Sequence, residues 1–422
     1  MKPFVSFLSV KRAPVARPLF AALAHGLLCL GLSGLAGSAH AEEEAPGNVQ
    51  WHGFFGQALM RSTHNNLFGH SKERFSADYT EAGINGSWRA HPNWLLSAQL
   101  LGRQAGASDP GKLRLDYAFV SYTPWADENG RLAVIVGKSK LPYGLYNDTR
   151  DTPSARPSIL LPQSIYLDRL RDSYQSGPGL HLQAEQNVGA GSLSLRFASF
   201  KWVDAGGRTA VLGLLGASAN GDFAGKQSWT SQLMYQSANE KFRAGLTEAR
   251  IRLRYQPGVG DAPVFGDGQV EFSPRLWSAQ WQEERWSLAG EYLTRRMKYG
   301  NFGPAVDNNI PGKSYYLQGI WHAAPAWDVL LRRDIYLMDS SDPSGTRFAA
   351  TPAARARGLS AWSRYAKDWT VGVRHRFAPG WQVAGELHRI EGTGWMPLAD
   401  NPNPRETGKD WNLLMFQLSY QF

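Results

Sequence analysis

Residues 249–255 read ARIRLRY. Arg250, Arg252 and Arg254 alternate with Ala249, Ile251, Leu253 and Tyr255, which is the rhythm of a β-strand. Successive strand side chains point to opposite faces, and same-face neighbours stand about 6.6–6.8 Å apart. One face of this strand is therefore a column of guanidinium groups, and the other is an apolar strip. In a soluble sheet the strip would face a core and the arginines water. In a membrane barrel the strip would face lipid and the arginines a water-filled lumen. The remainder of the chain has to choose.

The N-terminus reads as a secretory signal peptide spanning residues 1–41. Lys2, Lys11, Arg12 and Arg17 form a basic region, the apolar stretch LFAALAHGLLCLGLSGLAG follows, and Ala39-His40-Ala41 is an A-x-A cleavage site directly before EEE. The single cysteine, Cys29, lies inside this segment, and Leu28 before it is too large for a lipoprotein signal. The mature chain, 42–422, thus has no thiol for disulfides or catalysis. Losing those four basic residues takes the net charge from +9 to +5. That excess is modest, and without a basic block or binding motif it does not indicate nucleic acid.

Beyond the signal no run of 18 apolar residues occurs, so no membrane-spanning helix is expected. Yet the chain carries 16 Trp, 16 Tyr, 19 Phe and 44 Gly, a composition that favours sheet. Tight polar turns recur: AHPNW (90–94), DENGRL (127–132), VGAGSL (188–193), ANEKF (238–242), EERW (283–286), AAPAW (323–327) and APGW (378–381). Four of them lead directly into Trp94, Trp286, Trp327 and Trp381. Tryptophan recurring at one end of successive strands marks a water–lipid boundary. Longer segments alternate with these turns, at 61–73, 104–112, 145–176, 202–226, 256–268, 298–313, 337–367 and 391–409. Seven short and eight long connections imply sixteen strands with both termini on the short-turn side. The predicted fold is all-β, a transmembrane antiparallel β-barrel wide enough for an aqueous channel.

Single strands carry the same pattern. WSLAGEYL (286–293) sets Trp286, Leu288, Gly290 and Tyr292 against Ser287, Ala289 and Glu291. WTVGVRHRF (369–377) sets Trp369, Val371, Val373, His375 and Phe377 against Thr370, Gly372, Arg374 and Arg376. The last strand alternates Leu414, Phe416, Leu418, Tyr420 and Phe422 with Met415, Gln417, Ser419 and Gln421, ending the chain on an aromatic. That ending is similar to the assembly signal of Gram-negative outer-membrane proteins.

Three stretches, DYAFVSYTPW (116–125), GKSKLPYGLYNDT (137–149) and RPSILLPQSIYLDRLRD (156–172), resemble Gram-negative porins, closest to the phosphate-selective O/P porin family. The resemblance implies a 16-stranded barrel, a homotrimer, and a third loop, here 145–176, folded inward to narrow the pore. This loop departs from the phosphate-specific members in having no crowded lysine cluster. Arg150, Arg156, Arg169 and Arg171 are balanced by Asp148, Asp151, Asp168 and Asp172.

Two destinations remain open for the arginines of 249–255. They could line the lumen as an anion-attracting column about 13 Å long, since rings of Arg or Lys select anions. Alternatively, near the outer mouth, they could pair with loop carboxylates or with lipopolysaccharide phosphates. Lys138 and Lys140 share one face near the constriction loop, and Arg332, Arg374 and Arg376 add inward positive positions. Asp116, Glu185, Glu291, Asp334 and Glu386 on predicted inner faces oppose them, so only a weak anion preference is expected. His64 and His70 in a polar loop, and DSSDPSG (339–345), do not make metal sites, and no cofactor is implied.

The function expected is an outer-membrane porin, a passive channel for small hydrophilic or anionic solutes, with lipid and lipopolysaccharide as surroundings. A plugged barrel acting as adhesin or structural protein is the alternative. A lipid-cleaving barrel enzyme has no G-x-S-x-G or Ser/His pair in its favour.

Overall fold

A computed structural model describes residues 48–422 apart from Tyr174, 203–206, Ala217, 262–263 and Ala305. The signal-peptide reading of 1–41 lies outside these residues. Seventeen stretches of strand make one antiparallel sheet. They are β1 (Val49–Ser62), β2 (Ser76–His91), β3 (Trp94–Ala105), β4 (Asp109–Asp127), β5 (Gly130–Lys140), β6 (Ser176–Val188), β7 (Gly191–Phe200), β8 (Asp222–Gly225), β9 (Ser228–Ser237), β10 (Phe242–Gln256), β11 (Gln269–Gln282), β12 (Trp286–Gly300), β13 (Asn308–Ala324), β14 (Trp327–Leu337), β15 (Tyr365–Ala378), β16 (Trp381–Gly392) and β17 (Asp410–Gln421). The short β8 and the longer β9 pair with successive parts of β10, so they are two pieces of one wall position. The wall therefore has sixteen positions.

Closure comes from β17 against β1, in register from Phe54 opposite Gln421 to Ser62 opposite Leu413. It continues one residue further, where the backbones of Gly53 and Phe422 exchange hydrogen bonds of 3.1 and 3.0 Å. Every tight turn expected from the sequence joins two strands of this wall. The long segments alternate with them at the opposite end. Two are much shorter than expected: 104–112 reduces to a connection over 106–108, and 298–313 to one over 301–307. Gly106, with φ +56°, turns so close to the neighbouring loop that a Cβ would stand 2.4 Å from the Gly69 nitrogen.

Side-chain alternation follows the sequence pattern on most strands. On β12 Trp286, Leu288 and Tyr292 are exposed outward, whereas Ser287, Ala289 and Glu291 are buried inward. At the short-turn end, aromatic rings meet across strands. Trp327 stacks on His375 at 4.1 Å, and rings continue through Phe377, Trp381, Tyr420 and Phe422 at 4.6–6.4 Å. Amphipathic rings at this level suit the boundary between hydrocarbon and water.

The arginine strand departs from the lumen expectation. On β10 it is Ala249, Ile251, Leu253 and Tyr255 that are buried inward, at 5, 5, 4 and 0 % exposure. Arg250 and Arg254 are exposed on the outer face and Arg252 is half-exposed there, in line with Leu246, which sits opposite the outward Trp277. They form ion pairs and hydrogen bonds along the outside. Arg250 meets Glu271 at 2.8 Å, Arg254 chelates Asp267, and Arg252 donates to the Gln227 carbonyl at 2.6 and 2.8 Å. The reason lies inside the barrel. An apolar cluster including Tyr143, Tyr166, Ile165, Val211 and Phe223 fills that part of the interior and takes up the strip. The barrel wall here has a greasy inner face, and charge is left outside at the rim, where it costs little.

Candidate functional site

The segment linking β5 to β6 runs across the inside of the barrel and is tied to side chains from strands all around the wall. Glu81 of β2 receives Arg156 at 2.6 Å and Arg103 at 3.4 Å, with Arg171 at 3.8 Å. Glu291 of β12 accepts from the Tyr166 hydroxyl at 2.7 Å and the Leu145 amide at 3.0 Å. Glu386 of β16 accepts from the amides of Ile159 at 2.5 Å and Leu160 at 3.4 Å. Asp334 of β14 accepts from the Ser164 amide at 3.2 Å. Inward glutamates thus satisfy backbone donors of a segment that has no sheet partner of its own, as burial requires.

On the β2–β5 side the charges cancel. Arg103 meets Asp168 at 2.7 Å and Asp109 at 3.4 Å, and Arg114 meets Asp109 at 2.9 Å. Lys140 reaches Asp116 at 2.6 Å and also Asp151, which Arg171 shares. The side chains of all of these except Arg114 and Lys140 are under a tenth exposed. Charges so buried persist only when mutually paired.

The β12–β15 side is different. Arg332 donates to the Ser158 hydroxyl at 2.8 Å and the Leu160 carbonyl at 2.9 Å. Arg295 donates to the Ser314 hydroxyl at 2.7 Å and the Leu337 carbonyl at 2.9 Å. Arg374 donates to the Arg156 carbonyl, and Arg169 to the Tyr336 hydroxyl at 3.4 Å. Among the described residues, none of these four guanidinium groups has a carboxylate oxygen within 4.0 Å. Their hydrogen bonds go to neutral oxygens, while Asp334 and Glu386 act on Arg332, and Asp328 and Glu386 on Arg374, only at longer range.

This architecture has relatives. The channel DcaP of Acinetobacter baumannii superposes with a TM-score of 0.55 at 11% identity, over 91% of this chain and 100% of that one. An anion-selective porin from Comamonas acidovorans gives 0.56 at 11% identity, over 89% and 99%. The trimer form of OmpT from Vibrio cholerae gives 0.54 at 10% identity, over 90% and 100%. At such identities the likeness is one of fold. No curated protein matches the sequence. The sequence model of the phosphate-selective porin O and P family, however, matches residues 65–335. The chain belongs to that family. It is an outer-membrane porin.

Within this porin the residues expected at the pathway fall into three groups. Arg250, Arg252 and Arg254 lie outside the barrel, as described. Lys138 and Lys140 do not share a destination: Lys140 joins the buried network, while Lys138 donates to the Leu115 carbonyl at 2.7 Å outside it. Arg332 and Arg374 do face inward, whereas Arg376 stays near the short-turn rim, paired with Asp328 at 2.6 Å. Of the loop residues, Arg156, Asp168 and Arg171 belong to the neutralised network. Arg150 is buried with its guanidinium 3.4 Å from the Tyr166 carbonyl. Arg169 stands on the β12–β15 side, and the side chain of Asp172 lies outside the described residues.

Sequence reading passed over Glu81, Arg103, Asp109 and Arg295. The first two sit directly opposite each other on β2 and β3, a register invisible before the hairpin is aligned. Arg295 was within reach: counted from Trp286, it shares the inward parity of Glu291. DSSDPSG turns out to contain a helix cap, with Asp342 accepting from the Phe348 amide at 2.9 Å. The apolar run 210–217 begins in a helix, Gly207–Leu214, whose Ala210 and Val211 are buried within this same chain.

Proposed function

We propose that this porin is a passive channel for small hydrophilic solutes with a weak preference for anions. The observation that carries the reading is the set of inward guanidinium groups of Arg169, Arg295, Arg332 and Arg374, none of them within ion-pair distance of a carboxylate among the described residues. The opposite side of the lumen is electrically balanced, and on this side the inward carboxylates of Glu291, Asp334, Asp368 and Glu386 offset part of the guanidinium charge, which favours a modest preference over strict selection. Nothing in the reading calls for catalysis or a cofactor.

Support for a homotrimer is by analogy with the trimer form of OmpT and with the family. The outer arginine row, Arg250, Arg252 and Arg254, suits lipopolysaccharide phosphates at the long-loop rim, where guanidinium groups exchange carboxylate partners for phosphate at little cost.

The test is a planar bilayer with a KCl gradient. The reversal potential should show chloride favoured several-fold at most. Sealed membranes would leave the adhesin or structural reading standing, and a cation preference would remove the role given to the inner arginines.

A further inference from the structure

Resting on that reading of the lumen as an anion path, we propose that the outer half of this porin holds a site for a small organic carboxylate with an apolar body. The carboxylate would sit on Arg169, Arg295 and the Tyr336 hydroxyl, and the body in the adjoining apolar cavity.

The cavity measures ≈ 70 Å³ and lies between the inner segment, the helix Gly207–Leu214 and strands β10–β14. Its walls include Ile251, Leu253, Leu293, Met297, Leu170 and Leu214. About 15 Å³ suffices for one water, so there is room for a short alkyl chain or a small ring. Apolar walls of this kind gain nothing from water and are the usual lining of organic-ligand sites.

At one side the walls change character. Arg169 and Arg295 both line the cavity and are 9 and 7 % exposed. The Arg295 guanidinium lies over the Tyr336 ring, 4.6 Å from its centroid, and Arg169 donates to the hydroxyl of that same tyrosine. A hydroxyl that accepts this bond keeps its own proton to donate. Arg364 adds a third positive charge within electrostatic reach of Tyr336 and Arg169, itself within electrostatic reach of Asp339. None of the three arginines has a carboxylate within 4.0 Å among the described residues. One buried donor here, the Arg169 Nε, has no hydrogen-bond partner among the described residues. Unpaired charge and unsatisfied donors at this depth are costly unless something binds them.

The pairing of the two halves names the ligand class. Inorganic phosphate presents oxygen on every side and would lose hydration against Leu253 and Leu293 without replacement. A carboxylate on an alkyl or aryl body puts its charge at one end only, where the arginines and tyrosine converge, and its carbon where the wall is greasy.

Wild-type porin in planar bilayers, with acetate, butyrate, hexanoate, benzoate or inorganic phosphate added to a KCl current, gives the decisive measurement. Block of the chloride current should tighten along the alkyl series by about fourfold per methylene until the cavity is filled. Phosphate should block more weakly than hexanoate. Arg295→Gln should loosen hexanoate roughly tenfold or more, and Leu253→Asn should erase the dependence on chain length while chloride remains favoured. Titration calorimetry of hexanoate into detergent-solubilised porin reads the same affinity without conduction, so a failure of the channel reading stays distinguishable. Block independent of chain length, or phosphate binding as tightly as hexanoate, would overturn the proposal.

Discussion

The ring of Phe422 lies over the bare Cα of Gly53: a Cβ on that glycine would stand 2.3 Å from the ring. The first and last wall strands are thus sealed by an aromatic covering a glycine, with two backbone hydrogen bonds beside it. Cross-strand covering of this sort pins register where a strand lacks a side chain. Gly53→Val must displace the ring, at a cost of about 1–3 kcal/mol from overpacking, and Phe422→Ala uncovers the seam. Both should lower the fraction of heat-modifiable, folded barrel on electrophoresis, Gly53→Val more than Phe422→Ala. An unchanged folded fraction in both would mean that closure does not depend on this contact.

Arg250, Arg252 and Arg254 lie on the outer face, so replacing all three by Ala should leave the reversal potential in a KCl gradient unchanged. Their pairs with Glu271 and Asp267 are exposed, and exposed ion pairs add little to stability. A shift towards cations in this triple variant would place their charge in the conduction path and contradict the geometry of β10.

That strand shows what could and could not be read in advance. The seven turns, the tryptophans at strand starts, and the outward row of Leu414, Phe416, Leu418, Tyr420 and Phe422 are local patterns, legible because each depends on nearest neighbours along the chain. The facing of 249–255 depends on what fills the barrel. A period of two fixes two faces but does not say which is inner, and the apolar interior built by Tyr143, Ile165, Tyr166 and Val211 reverses the usual assumption of a wet lumen. Glu81 and Arg103 stayed hidden for a related reason: they become partners only when β2 and β3 pair.

Glu81 is fully buried beneath Arg103, Arg156 and Arg171. Glu81→Gln would leave these guanidinium groups short of one negative charge in a dry setting, destabilising the folded barrel by about 3–5 kcal/mol. The surplus positive charge lies against the lumen, so channels that do assemble should favour chloride more strongly than wild type. Thermal unfolding in detergent and the reversal potential read the two effects separately. A variant with wild-type values for both would show that the network is dispensable.

Asp400 ties three outer connections together. Its carboxylate accepts from the amides of Phe68 and Gly69, each at 3.1 Å, and of Ala107 at 2.8 Å. Asp400→Ala strips an acceptor from all three donors, and a lost bond to a charged group is worth about 1.5–3 kcal/mol. The 63–75 connection should become a site of protease cleavage on intact cells, while the barrel itself stays folded, because its wall hydrogen bonds are untouched. Equal resistance to cleavage in variant and wild type would mean that other contacts hold the loops.

Glu291 offers the sharpest test of how the inner segment is held. Its carboxylate collects the hydroxyls of Ser278 at 2.6 Å, Tyr166 at 2.7 Å and Tyr316 at 3.0 Å, besides the Leu145 amide. Tyr166 in turn receives the amides of Leu145 and Tyr146 at 2.8 and 3.0 Å. The wall glutamate and the loop tyrosine therefore grip the same turn of chain from two sides. Tyr166→Phe removes one hydroxyl that serves three partners, and Glu291→Gln keeps the shape but weakens every acceptor bond. Since the two residues share Leu145, their effects cannot be independent. The double variant should lose less stability than the sum of the singles, with a coupling of about 0.5–3 kcal/mol. Freed at this point, the inner segment can sample several positions, so single-channel currents should turn from steady to noisy in each variant. Steady currents with additive stability losses would show that the segment is fixed by its other ties, to Glu81, Asp334, Glu386, Arg332 and Arg374.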